Sequence, residues 1–290
     1  MSREDPVDAA HAAHAAHAAP VVLVTIPASN YVEKARWALR FAGVPFIEEK
    51  WAPLFVYLST MPKGGKSVPL LVLPSPSKVA LTDSTDIMAF CARTMPELYA
   101  NEDAKRLETL YDSKLGPHAR RCGTTSLSHD VLLESLVLIE LLSNAEAAKK
   151  ILVGPIEGFV QYYLAWLCFP VLKALLLRAL NVNEQSAERS WAKLEQLLGE
   201  AEQRLGDGPV GSHFLAGNSF SAADISLCAH LSLLLFPPEH EYIGPYMSVD
   251  QIQSPVFRDR LEKLRRSKIG QYVLWCYQNK RPATAIKARL

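Results

Sequence analysis

The sequence predicts a small α/β unit followed by an all-helical one, and three observations point there. At 290 residues the chain exceeds one ordinary core, since single domains usually run to ~100–200 residues. Apolar and β-branched runs short enough for strands are confined to the stretch between Val21 and Leu81. From about Asn101 onward apolar residues recur at helical spacing instead. The predicted division is a tail over 1–20, an α/β unit over 21–96 and a helical unit over 101–290.

Residues 9–19 repeat Ala-Ala-His, with His11, His14 and His17 three apart. Such a face suits a metal, but a segment without a hydrophobic stripe to dock is expected to be a disordered tail. Glu4, Asp5 and Asp8 and the lack of an apolar run argue against a secretory signal, and the scarcity of arginine against a transit peptide, so a cytoplasmic location is expected.

Order is expected to begin with Val21-Val22-Leu23-Val24-Thr25-Ile26, a buried strand bounded by Pro27. The period then changes. Val32, Ala35, Leu39 and Ala42 share one helical face, with Glu33, Lys34, Arg36 and Arg40 mostly off it, and Gly43 and Pro45 end the helix. Phe46 to Lys50 reads as a second strand, parallel to the first because a helix connects them. Pro69 to Leu73 and Val79 to Leu81 read as an antiparallel hairpin across Pro74-Ser75-Pro76-Ser77-Lys78. A helix from Asp83-Ser84 to about Arg93, followed by Pro96, closes the unit.

In the second part, Leu107, Leu110, Tyr111 and Leu115 form one stripe, Val131 to Leu142 an apolar helix, and Trp191, Leu194, Leu197, Leu198, Ala201 and Leu205 another stripe. A helical bundle follows. Between Leu142 and Glu184 lies a long insert, and neither it nor the tail after Tyr272 holds an interpretable motif.

Lysine plus arginine (31) balances aspartate plus glutamate (30), so nothing in the overall charge favours nucleic acid. Cys91, Cys122, Cys168, Cys228 and Cys276 are odd in number and scattered, which fits a reducing compartment and no zinc or dithiol site. The apolar stretch from Ile151 to Leu177 is broken by Pro155, Glu157, Pro170 and Lys173, and buried helices are expected rather than a membrane segment. Tyr162, Tyr163, Trp166 and Phe169 are expected to be mainly core, and His240-Glu241 a surface loop.

Four motifs carry chemistry or folding information. Ser29-Asn30-Tyr31-Val32-Glu33 opens the first helix; Lys66-Ser67-Val68-Pro69-Leu70 leads into the third strand; Asp83-Ser84 precedes the next helix; and Phe214-Leu215-Ala216-Gly217-Asn218-Ser219-Phe220-Ser221-Ala222-Ala223-Asp224-Ile225 joins a capping box of Ser221 and Asp224 to a staple of Phe220 and Ile225. Asn30 with Glu33 also has capping-box spacing, which would leave the Ser29 hydroxyl free.

In their order and spacing these motifs resemble the glutathione transferase superfamily, serine type, across most of residues 21–280. The resemblance implies a thioredoxin-like N-terminal domain with an all-helical domain behind it, usually as a homodimer. It implies that Ser29 donates to the glutathione sulfur. A free thiol with pKa near ~8.5 is only a few per cent ionised at neutral pH, and lowering it ~2 units takes ~2.7 kcal/mol. A hydrogen bond to a charged acceptor supplies ~1.5–3 kcal/mol and a helix N-terminus ~0.3–1 kcal/mol.

By the same resemblance Val68, before a cis Pro69, would pair with the cysteinyl backbone of glutathione. Lys66, and less directly Lys63, would meet the glycine carboxylate, and Asp83 and Ser84 would grip the γ-glutamyl group. Tyr31, Tyr111, Lys114 and His118 would border the electrophile pocket, with Arg120 and Arg121 beside them. No metal or prosthetic group is implied; glutathione is a co-substrate. Asn30 stands where serine-type members often have proline, Asp86 adds a carboxylate the motif does not require, and no cysteine near Ser29 supports mixed-disulfide chemistry. The activity implied is conjugation of glutathione to hydrophobic electrophiles, with peroxidase activity in view. A non-catalytic ligand binder or scaffold is the alternative.

Overall fold

A computed structural model describes Val7 and residues 20–74, 79–115, 141–180 and 184–282. The histidine repeat, most of the Val131 to Leu142 segment, His118, Arg120 and Arg121 lie outside the described residues.

The first unit follows the predicted order. Strand β1 (Val21–Thr25) runs into helix α1 (Asn30–Phe41), β2 (Phe46–Lys50), a short α2 (Tyr57–Thr60), β3 (Leu70–Val72), β4 (Ala80–Leu81) and α3 (Ser84–Ala92). The sheet order is β2-β1-β3-β4, with β1 parallel to β2 and antiparallel to β3, and β3 antiparallel to β4. Central β1 is apolar up to its last residue, Thr25, because both its faces are covered: Leu23 joins the main core, while Val24 packs with Val56 and Leu70 on the other face. Helix α1 stops at Gly43, whose φ of 67° is the left-handed geometry that a side chain resists.

The second unit is helical: α4 (Glu102–Lys114), α5 (Ala145–Leu152), α6 (Phe159–Leu167), α7 (Phe169–Leu180), α8 (Glu184–Leu205), α9 (Ala222–Leu235), α10 (Pro255–Arg266) and α11 (Lys268–Asn279). The predicted stripes are buried, with Leu107 and Tyr111 on α4 and Trp191, Leu194, Leu198, Ala201 and Leu205 on α8. At the centre lies α9, packed against α1, α4 and α11. Its start is held by Asp224, whose carboxylate accepts from the N–H of Ser221 and of Leu215 and from the hydroxyls of Ser221 and Tyr272. Phe220 and Ile225 are both buried beside it, as the staple requires.

Three expectations are corrected. Three of the charged residues set off the apolar face of α1 do not face water: Glu33, Lys34 and Arg36 are fully buried, because Lys34 meets Glu108 and Asp112 on α4, Glu33 meets His240 and Arg281, and Arg36 pairs with Glu48 on β2. His240 is likewise fully buried rather than on a surface loop, placed against Glu33. The stretch read as buried helices is largely outward-facing: on α6 only Ala165 is buried, and Tyr163 and Trp166 are exposed, although Phe169 is core as expected. Alternation in sequence reports polarity, and here burial follows the partners each face meets.

Candidate functional site

The three predicted binding segments converge through the sheet. In the β1/β3 register Val24 faces Leu70, and continuing it two residues sets Val68 opposite Ile26. In the β3/β4 register Leu71 faces Leu81, and two further residues bring Asp83 alongside Pro69. The turn leading to Ser29, the Val68-Pro69 step and Asp83-Ser84 thus occupy one end of the sheet, where α1 and α3 begin.

Each segment offers unused hydrogen-bonding groups. Ser29, not Asn30, is the N-cap of α1; its carbonyl accepts from Glu33 N–H at 2.8 Å, yet its hydroxyl makes no capping bond. The predicted Asn30–Glu33 box does not form, because Glu33 turns into a buried ion-pair cluster and Asn30 bonds elsewhere. The Val68-Pro69 bond is cis, and the backbone N–H and C=O of Val68 have no partner among the described residues. Asp83 caps α3 by accepting from Thr85 N–H at 2.8 Å, whereas the fully buried Ser84 hydroxyl has no partner among the described residues. Lys66 is exposed and in no ion pair among the described residues, while Lys63 is bound to Glu49 and Ser59 and so is committed elsewhere.

Behind these segments runs a buried polar network that the sequence reading did not contain. Asp112 on α4 is its hub. One carboxylate oxygen accepts from Ser226 Oγ at 2.6 Å and contacts His230 Nε2 at 3.0 Å; the other meets Lys34 Nζ at 2.5 Å and Thr85 Oγ1 at 3.0 Å. His230 Nδ1 in turn lies 2.7 Å from Asn30 Nδ2, and Lys34 also pairs with Glu108 at 2.5 Å. Burial alone would raise the Asp112 carboxyl, but the Lys34 charge and the His230 hydrogen bond outweigh it and hold Asp112 well below the usual carboxylate range. Glu108, more deeply buried and beside Asp112, is shifted upward. Only the spacing of Asn30, Lys34, Asp112 and His230 on three helices could have signalled this, and their separation in sequence hides it.

The proposed pocket residues divide. Tyr31 donates its hydroxyl to the Asp112 carbonyl at 3.1 Å and packs edge-on against His230. Tyr111 is buried in the core rather than at an opening, and Lys114 is exposed at the end of α4. A separate cleft of about 450 Å³ between α8 and α10, lined by Trp191, Leu194, Leu198, Arg260 and Leu264, touches none of the candidates.

A mixed four-stranded sheet with a cis-proline step, backed by a helical unit around a capped central helix, defines a protein of the thioredoxin-like, glutathione-transferase class. Comparison with known families agrees. Residues 23–97 match the glutathione S-transferase N-terminal domain and residues 184–266 the glutathione S-transferase C-terminal domain, between them more than half the chain. The chain belongs to the glutathione S-transferase superfamily.

Among solved structures, it resembles a glutathione S-transferase of Ceriporiopsis subvermispora in complex with glutathione, at 15% identity and TM-score 0.53, covering 92% of this chain and 100% of that one. Two glutathione transferases of Phanerochaete chrysosporium are similar at 15% and 14% identity and TM-scores of 0.54 and 0.56, each match covering 92% of this chain and 99% and 100% of theirs. At such identities the likeness concerns the fold. No curated protein matches the sequence.

Proposed function

We propose that this chain binds glutathione at the sheet end and transfers its thiolate to a hydrophobic electrophile or hydroperoxide, with Ser29 as the activating donor. The observation that carries this is a hydroxyl left without a capping bond at the N-terminus of α1, on the same sheet end as the open Val68 backbone and the orphan Ser84 hydroxyl. In this reading Ser29 Oγ donates to the sulfur and the α1 N-terminus adds its partial positive charge. Val68 pairs with the cysteinyl backbone, Ser84 and the α3 N-terminus hold the γ-glutamyl carboxylate, Asp83 meets its ammonium, and Lys66 meets the glycine carboxylate.

A second reading, non-catalytic binding, is favoured by Asn30 and Asp86, where the chain departs from the serine-type pattern. One experiment separates the two. Calorimetry of glutathione binding and the ultraviolet absorbance of bound thiolate are measured on the wild type and on Ser29→Ala. Binding with a thiolate band that the variant loses supports the transferase; binding without a band supports the non-catalytic binder; no binding by either protein removes the transferase and leaves the scaffold.

A further inference from the structure

Helices α6 and α7 form an outward apolar surface that the transferase site does not use. They meet at a bend of 63° around Cys168. Ala165, Phe169 and Leu172 anchor the pair to the body, while Phe159 (74% exposed), Leu167 (76%) and Val171 (62%) stand in the open with Val160, Tyr163 and Leu164. Lone exposed apolar residues are ordinary, but a contiguous outward group of this size marks a site that is covered in use.

Length and charge identify the occupant. Helices of 9 and 12 residues extend ~14 and ~18 Å, well short of the ~30 Å hydrocarbon core of a bilayer. The bend lets both lie along one plane instead of crossing it. No Asp or Glu occurs between Glu157 and Glu184, and Glu157 itself is engaged by Lys50 at 2.5 Å. The charges on the pair itself are cationic, Lys173 and Arg178 on α7; on the neighbouring α5, which carries Glu146, Lys150 and Lys149, the Lys149 ammonium lies 4.3 Å from the Trp166 ring centroid. Apolar side chains on two helices that carry Tyr, Trp and cations and no carboxylate of their own match the boundary between acyl chains and anionic headgroups.

We infer that α6 and α7 dock the protein, in the plane of the interface, on a phospholipid bilayer carrying anionic headgroups. The test is flotation of the full chain with vesicles of phosphatidylcholine, with and without phosphatidylserine. The wild type is expected to float, more strongly with phosphatidylserine and less in high salt, with a blue shift of tryptophan emission that Trp166→Phe diminishes. Phe159→Ser, Leu167→Ser and Val171→Ser should each weaken partitioning ~10-fold while leaving the melting temperature unchanged, because apolar burial is worth ~1.5 kcal/mol or more per side chain. Lys149→Gln with Lys173→Gln should abolish the preference for phosphatidylserine. A wild type that stays with neither vesicle overturns the inference. So does a wild-type dimer, seen by light scattering, that Leu167→Ser turns monomeric, since the face would then be a subunit contact.

Discussion

The side-chain amide of Asn30 and the imidazole of His230 meet at 2.7 Å across 200 residues of sequence. Asn30 Oδ1 already accepts from Tyr31 N–H at 2.8 Å, so its Nδ2 donates and His230 Nδ1 accepts. The imidazole proton therefore sits on Nε2 and is donated to Asp112 at 3.0 Å. A single carboxylate thus orients the residue next to Ser29, and through Thr85 it also steadies the turn that carries Ser84.

Removing that hub should be costly. Asp112→Ala leaves Lys34 buried with Glu108 as its remaining carboxylate, and the expected loss is about 3 kcal/mol, the low end for breaking a buried pair because one partner survives. Asp112→Asn, which keeps the shape and an acceptor for His230, should lose less. Urea denaturation of the three proteins checks the order; equal stability of wild type and Asp112→Ala would mean that the network contributes nothing.

Ser84 should behave in the opposite way. Its buried hydroxyl has no partner among the described residues, so Ser84→Ala removes an unsatisfied group and should leave the melting temperature level or raise it. Glutathione affinity should fall ~10-fold, because a hydrogen bond to a charged group is worth ~1.5 kcal/mol or more. Exposed Lys66 offers the contrast, with Lys66→Ala weakening binding by no more than ~5-fold and only at low salt. Calorimetry at two salt concentrations reads both.

Stability should depend on pH through His240. Burial pushes its imidazole down to about 4, against ~6.5 in an unfolded chain. Between those values the unfolded chain binds a proton that the folded one refuses, so stability is full above ~6.5 and declines as pH falls toward 4. Glu33, held well below the usual range because Arg281, His240 and Arg36 outweigh its burial, extends the loss to still lower pH as its carboxylate protonates. Melting temperatures followed from pH 7 to 4 should fall, and His240→Gln should flatten the upper part of the curve.

What could be read from the sequence follows from which signals are local. β1 declared itself because a strand covered on both faces is mostly apolar, here Val21 to Val24, and Ser221 and Asp224 because a capping box spans four residues. The hairpin that sets Asp83 beside Pro69 is local in sequence, whereas the register that brings Val68 to the Ser29 end joins β1 to β3, with Val22 facing Val72. Glu33, Lys34 and Arg36 misled because a charged residue buried against a distant partner is written like one in water. Arg281 completes the Glu33 cluster at 2.6 Å from a tail with no motif, and the meeting of Asn30 with His230 requires the tertiary fold.

The buried charges of α1 bear on how far the two halves of this chain can be treated as modules. Lys34 finds its carboxylates on α4, and Glu33 relies on His240 and Arg281 as well as Arg36. An α/β half expressed alone would present an unneutralised lysine and a half-neutralised glutamate on the face where the helical half belongs. A chimaera with another helical half would inherit the same mismatch unless residues 108, 112, 240 and 281 came with it. In this chain the seam between the halves works as a code, and recombination has to copy it as a set.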